Sequence, residues 1–412
     1  ISEFETDLSG LRISSDNLAA LDPLYHYTLH AGREAIATVD PDLVDPRRTG
    51  VILAAIALPT EASSALTRHL FKSAIASGAL RDVDLGQPDA ISRRNILSSR
   101  VTSLPAALLA GAFGFQGGTY TLDAACASSL YALKLSCDEL IAGRADMMVT
   151  GGVSRPDCLY TQVGFSQLRA LSPTGRCAPF DADADGLVVG EGAGIIVLKR
   201  LGDAVAAGDP VLGVIRGIGL SNDMRGNLLA PDSEGQLRAM RSAYRQAGWD
   251  PREVDLIECH GTGTPAGDAV EANSLRELWD TDGWHPGQCA IGSVKSMIGH
   301  LLTGAGAAGM IKVVSALQNA TLPPSLNFQG FKANSPLMDG PFRVQTDPGP
   351  WTMQGSAATR KAAVSAFGFG GINAHVLVEE YQPPARNPKQ NTSLSVQADT
   401  PAPVAIIGMA AS

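Results

Sequence analysis

Thr121-Leu-Asp-Ala-Ala-Cys-Ala-Ser-Ser-Leu130 is the stretch on which the reading of this chain turns. The run Gly117 to Ala125 is apolar and β-branched and predicts a strand, while Ala127 to Ala142 carries apolar residues at helical spacing. Cys126 therefore stands where a strand turns into a helix. Unpaired N–H groups and the positive end of the helix dipole at such a place favour a thiolate and lower its pKa. A small buried cysteine would suit the same position, since free cysteines are among the most buried side chains. On this stretch alone both readings stay open.

Two later stretches bear histidines in a related setting, Glu258-Cys-His-Gly-Thr-Gly-Thr264 and Lys295-Ser-Met-Ile-Gly-His300. His260 directly follows a predicted strand, Val254 to Cys259, and His300 lies between a strand, Ala290 to Val294, and a helix, Ala305 to Gln318. The carboxyl ends of strands are where open α/β sheets build their sites. The plainer alternative is two satisfied core histidines. His26, His30, His69 and His285 lack such a setting and read as structural or exposed, and His375 as packing in a closing strand.

Around these motifs strands and helices alternate. Pro23 to Ala37 predicts an amphipathic helix, Val51 to Ala57 a buried strand, residues 61–79 a helix, and Ser103 to Ala112 another. Residues 146–153 and 193–199 read as buried strands. A second half of similar order opens at Val211 to Ile218, continues through helices Ser233 to Ala247 and Gly267 to Leu278, and closes with strands Arg360 to Phe367 and Asn373 to Glu379. Continuous apolar strands alternating with helices mean buried sheets, an α/β architecture. The repeated order suggests internal duplication, although no sequence repeat accompanies it.

After Glu380 the composition shifts to Pro, Asn, Gln, Ser and Thr, which reads as a linker over 386–402. Val404-Ala-Ile-Ile-Gly-Met409 then reads as the first strand of a following domain, so the expected division is 1–385, linker, and 403–412. A first residue other than Met reads as that of a fragment or processed form, an expectation from the sequence alone.

With 45% hydrophobic and 18% charged residues the composition is that of an ordinary globular protein, and a net charge of −9 disfavours nucleic acid as partner. No apolar run is long enough to span a membrane. The six cysteines include no C-x-x-C pair, so all six, Cys126, Cys137, Cys158, Cys177, Cys259 and Cys289, read as free thiols of a cytoplasmic protein. Two motifs are decoys. Asp181-Ala-Asp-Ala-Asp-Gly186 opens like a calcium loop, but position 12 is Gly192. Gly304-Ala-Gly-Ala-Ala-Gly309 matches a dinucleotide fingerprint only by letter, lacking the adjacent strand and the later acid. Its glycines suit a helix packed tightly under a site.

Taken in order, the motifs resemble those of the β-ketoacyl synthases, the ketosynthase domains that condense acyl units in fatty acid and polyketide synthesis. The matching elements are Asp123-Ala-Ala-Cys-Ala-Ser-Ser, Pro179-Phe-Asp181 with Gly190-Glu-Gly192, His260-Gly-Thr-Gly-Thr264 with Gly267-Asp268 and Glu271, Lys295 to His300, and Phe367-Gly-Phe-Gly-Gly-Ile-Asn373. The likeness covers about residues 20–380. It implies a thiolase-like fold, duplicated βαβαβαββ halves in a five-layer α-β-α-β-α sandwich, divided near residue 210. Gly309 and the alanine pair before Cys126 look like those of multidomain polyketide or polyunsaturated fatty acid synthases. The family's usual amino-terminal strand, of the form of Val404 to Met409, is missing from the start, so its presence at the end suggests a second synthase-like, chain-length-factor domain.

The resemblance implies that Cys126 carries the acyl group, that His260 and His300 serve decarboxylation of malonyl carrier protein, and that the backbone of Cys126 and Phe369 forms the oxyanion hole. By the same likeness Lys295 and Glu271 support the site, Thr262 and Thr264 bind pantetheine, and Phe369 gates the cavity. No metal and no bound organic cofactor are implied, because substrates arrive on the phosphopantetheine arm of an acyl carrier protein. A two-fold dimer or pseudo-dimer is implied, with the strand before Cys126 near the interface. Three rivals share the fold: a non-catalytic chain-length or dimer partner and a decarboxylase-only domain, both lacking the cysteine, and a degradative thiolase with a second late cysteine. The presence of Cys126, with Cys289 the last cysteine, stands against all three.

Overall fold

The computed structural model describes residues 6–19, 21–56, 69, 72–78, 103–156, 159–225, 231–279, 283–353, 358–383 and 402–412. Most of the helix expected over 61–79, all but the last residue of the linker, and Cys158 lie outside them. In chain order the strands are β1 Thr49–Ala55, β2 Thr119–Leu122, β3 Met147–Ser154, β4 Gly192–Arg200, β5 Gly213–Asn222, β6 Leu256–Glu258 and β7 Cys289–Gly292. They continue with β8 Thr321–Leu322, β9 Phe342–Val344, β10 Gly349–Pro350, β11 Lys361–Gly368, β12 Ile372–Glu379 and β13 Val404–Ala411. Eleven join one sheet in the order β2-β1-β3-β4-β13-β5-β12-β11-β6-β7-β9, and β8 and β10 form a separate pair.

That order contains the duplication. β1 runs parallel to β2 and β3, which pairs antiparallel with β4; β6 runs parallel to β7 and β11, which pairs antiparallel with β12. The second half is therefore β5, helix Ser233–Ala247, β6, helix Pro265–Leu278, β7, helix Ala305–Gln318, β11 and β12. The first half repeats it with helices Pro23–Ile36, Leu104–Phe113 and Ser128–Ile141.

In the first half β13 stands antiparallel beside β4, as β5 stands beside β12 in the second. Composition and position in the chain predict that Val404–Met409 opens a following domain, but the strand lies antiparallel between β4 and β5. Its side chains explain why. Val404 and Ile406 face one apolar core while Ala405 and Ile407 face another, so both faces of the strand are buried. Thr38 Oγ1 donates to the Ile407 carbonyl at 2.9 Å and the Ser412 N–H donates to Ala193 O at 3.0 Å, tying the strand at its far end. Pairing on both edges and burial on both faces hold the strand in the sheet.

Three cores define five layers. Helices Pro23–Ile36 and Leu104–Phe113 cover the outer face of the first half, and helices Ser233–Ala247 and Pro265–Leu278 that of the second. Helices Ser128–Ile141 and Ala305–Gln318 lie between the halves, packed on strands of both. The glycines of the dinucleotide decoy do what was expected of them. A Cβ at Gly306 would come 2.7 Å from Leu130 Cγ, and Ala307 N–H donates to Ser129 Oγ at 2.9 Å. Asp181, first of the calcium decoy, accepts the N–H groups of Asp183, Gln329 and Gly330 and so pins a loop. Among the described residues no helix is long and apolar enough to cross a membrane.

Close backbone approach also fixes β5 against its helix. A Cβ at Gly219 would lie 1.8 Å from the Ala239 carbonyl oxygen, with no side chain there to yield. Gly219→Ala is expected to destabilise the fold by about 3 kcal/mol or more, read as a lowered midpoint in urea unfolding.

Candidate active site

The duplication brings equivalent places together. Cys126 follows β2 and precedes helix Ser128–Ile141, while His300 follows β7 and precedes helix Ala305–Gln318. The two central helices thus rise from opposite halves with Cys126 and His300 ahead of their first turns. His260 comes from the carboxyl end of β6, beside β7. All three line one cavity of about 290 Å³, with Thr262, Thr264, Phe165, Arg169, Phe367 and Phe369 also on its wall.

The Cys126 turn is locally over-determined. Ala125 has φ +49°, a left-handed conformation costly for a residue with a Cβ. It is held by Asp123 Oδ1, which accepts the Ala125 N–H at 2.9 Å, and by Ser128, whose Oγ accepts from Ala124 N and donates to Ala125 O. Gly368 presses on this turn, where a Cβ would sit 3.1 Å from the Cys126 nitrogen and from Ala125 Cβ. The N–H groups of Phe369 and of Cys126 itself favour the charged sulfur.

The expectation of a lowered thiol pKa is nonetheless corrected. Burial pushes the Cys126 thiol up to about 11, against the opposing pull of the Phe369 N–H and the Lys295 charge. Short-range desolvation outweighs the helix terminus because the cavity wall around the sulfur is largely apolar. Alkylation of Cys126 by iodoacetamide should therefore rise about tenfold per pH unit from about pH 7 to pH 9, following the thiolate fraction. A rate already level at neutral pH would contradict this.

His300 is held by its backbone. Its N–H donates to Val188 O at 2.6 Å and its carbonyl accepts from Gly190 N at 3.0 Å, while Gly299 before it has φ +74°. Its Nδ1 accepts the Leu302 N–H at 3.1 Å, which leaves the ring proton on Nε2. That Nε2 is buried with no partner among the described residues. The His260 ring stands edge-on to it, centroids 5.6 Å apart, and its Nδ1 is likewise buried and unpartnered. Burial first, and then the positive charge of Lys295, keep both imidazoles well below their ordinary pKa. The site therefore holds two neutral imidazoles with unspent ring nitrogens.

The supporting residues act on these loops. Glu271 accepts the N–H groups of His260 and Gly261, each at 2.7 Å, and burial pushes its carboxyl up to about 7. Asp268 accepts from Phe180, Thr262 and Gly263 and is pushed up to about 6, again chiefly by burial. Thr262 and Thr264 share a hydroxyl hydrogen bond of 2.9 Å. Lys295 is buried, and its charge bears on Cys126 and both histidines. The Phe369 ring lies 6.0 Å from that of Phe165.

Two features escaped the sequence reading. Phe165 and Arg169 join the wall from helix Leu159–Gln167 and the turn after it, and nothing in their spacing marks them. Glu258, noted only as the start of a motif, has an ion pair with Lys312 at 2.8 Å and accepts the Val294 N–H, linking the strand of His260 to the loop of Lys295. A charge inside an apolar strand was the available signal.

Comparison with known proteins places the chain in a family. The profile for "Beta-ketoacyl synthase, N-terminal domain" matches residues 2–204, that for the C-terminal domain residues 212–329, and that for the "Ketoacyl-synthetase C-terminal extension" residues 332–410, which takes in most of β13. The chain belongs to the β-ketoacyl synthase family and has its thiolase-like fold. It is 37% identical over 393 residues to a phenolphthiocerol/phthiocerol polyketide synthase of Mycobacterium tuberculosis, covering 95% of this chain and 20% of that protein. Among solved structures it is similar to the ketosynthase from module 6 of the bacillaene synthase of Bacillus subtilis 168, with TM-score 0.76, 31% identity and coverage of 90% of this chain and 62% of that one. It is also similar to the PfaC keto synthase-chain length factor, with TM-score 0.82, 37% identity and coverage of 93% and 41%. The chain spans about a fifth of the length of the curated relatives it matches.

Proposed function

We propose that this chain condenses an acyl group held on Cys126 with malonyl-acyl carrier protein, releasing carbon dioxide and giving 3-oxoacyl-acyl carrier protein, in polyketide or polyunsaturated fatty acid synthesis. The observation that carries the proposal is the meeting of Cys126, His260 and His300 on one cavity, with His300 presenting a ring N–H that no group among the described residues takes. In the first step the Cys126 sulfur attacks the acyl thioester, the Cys126 and Phe369 N–H groups receive the oxyanion, the carbon–sulfur bond to the carrier breaks, and the proton that Cys126 gives up ends on the departing carrier thiol. One such donor is worth about 3 kcal/mol. In the second, malonyl carrier protein loses carbon dioxide, and the electron pair of the broken C–C bond passes into an enolate whose oxygen accepts from His300 Nε2 and from His260. In the third, the enolate carbon attacks the acyl-Cys126 carbonyl and the thiolate departs.

Thr262 and Thr264 would hydrogen-bond the pantetheine arm, Glu271 and Lys295 would hold the histidine loops in register and potential, and Phe369 would swing between glycines to admit the acyl chain. These steps use side chains and backbone N–H groups of this protein and the arm carried by its partner. β2 is the edge strand of the sheet and exposes Tyr120, which suits a two-fold dimer or a pseudo-dimer with a synthase-like partner. Five free thiols among the described residues agree with a reducing cytoplasm. A non-catalytic partner role fits poorly with a cysteine inside the cavity. Intact-protein mass after incubation with a panel of acyl thioesters tests the reading. An acyl-sized gain on the wild type, absent from Cys126→Ala, is expected; no gain with any donor, or an equal gain on the variant, would overturn it.

A further inference from the structure

We propose that Arg169 is the counter-ion for the phosphate of the phosphopantetheine arm, placed at the mouth of the Cys126 cavity; this rests on the condensing reading above. Arg169 is exposed yet lines the same cavity as Cys126, so it stands at the opening. It closes helix Leu159–Gln167, its N–H donating to Ser166 O at 2.9 Å and that of Ala170 to Phe165 O at 3.0 Å. Its φ of +52° is the left-handed conformation in which glycine usually ends a helix. A glycine would make the same turn without strain, so what the arginine adds is its side chain.

The turn is firmly mounted. Leu187 N–H donates to Ala170 O at 2.8 Å and Ser172 N–H to Leu187 O at 2.9 Å, and Gly186 N–H reaches Gly263 O beside Thr262. Phe165, within the same turn, packs on the Phe369 ring. Among the described residues no ion pair holds the Arg169 guanidinium, on a chain whose net charge is −9. A thioester reacting at Cys126 carries its arm outward past Thr262 and Thr264. The malonyl carboxylate travels with the thioester to the inner end, so the charged group left at the opening is the phosphate. A planar guanidinium matches phosphate oxygens in a bidentate manner.

The test compares acyl and malonyl thioesters of phosphopantetheine with the same thioesters of pantetheine, which lacks the phosphate, for wild type, Arg169→Ala, Arg169→Gly and Arg169→Lys. Both neutral variants should lose about tenfold in kcat/KM on the phosphorylated substrates, through KM with kcat unchanged, and nothing on the unphosphorylated ones. Arg169→Lys should keep part of the effect. Arg169→Gly should unfold at the wild-type temperature or above it, which separates lost recognition from lost folding. Equal losses on both substrate sets, or no loss on the phosphorylated set, would overturn the assignment. If the wild type turned over no donor at all, the condensing reading would fail and this assignment with it.

Discussion

Cys126→Ala should lose the acyl-enzyme altogether and slow condensation by at least about 10⁴-fold, because among the described residues the cavity wall carries no second thiol. The other described cysteines are buried elsewhere, and Cys177, the nearest in role to a substitute, spends its thiol on the Thr262 carbonyl at 3.4 Å. The same variant should still decarboxylate malonyl carrier protein to acetyl carrier protein, since both histidines are untouched. Chromatography of the carrier products reads both quantities. Retained condensation in the variant would move the nucleophile away from Cys126.

His300→Ala should show the complementary pattern. Self-acylation of Cys126 should change little, while decarboxylation and condensation fall about 10²- to 10⁴-fold, the range for one positioned donor or proton-transfer group. The asymmetry follows from the tautomer. The Leu302 N–H holds the ring so that Nε2 carries the proton, and His300 can donate but cannot relieve Cys126 of a proton through that atom. Single-turnover acylation measured beside decarboxylation separates the two steps. Equal loss of both would show that the ring also activates the thiol. Truncation leaves the Leu302 N–H unpaired at a cost of about 1 to 3 kcal/mol, so thermal unfolding should be followed in parallel.

Much of this is legible in the sequence because the signals are local. Helix Ser233–Ala247 and helix Ala305–Gln318 match their predicted bounds to the residue, since apolar spacing, an Asp before the first and tight glycines in the second leave little freedom. The histidine loops are legible because glycines at positive φ, Gly261, Gly263 and Gly299, mark turns at strand ends. What is not legible depends on tertiary placement. The strand Gly117 to Ala125 shortens to β2 Thr119–Leu122 because Asp123 and Ala125 are drawn into the strained turn before Cys126. β13 carries an ordinary strand signature and gives no hint that it fills the first half from the far end of the chain. The Cys126 pKa runs against the expectation because sequence shows the helix start but not the walls around the sulfur.

One cavity is proposed to carry out both acyl transfer and condensation. This is tested most directly by isolating the acylated protein, adding malonyl carrier protein, and weighing both proteins intact over time. The adduct on Cys126 should disappear in step with a 3-oxoacyl group appearing on the carrier, larger than the malonyl group by the acyl unit and smaller by one carbon dioxide. An adduct that persists while the carrier is merely decarboxylated to the acetyl form would contradict it.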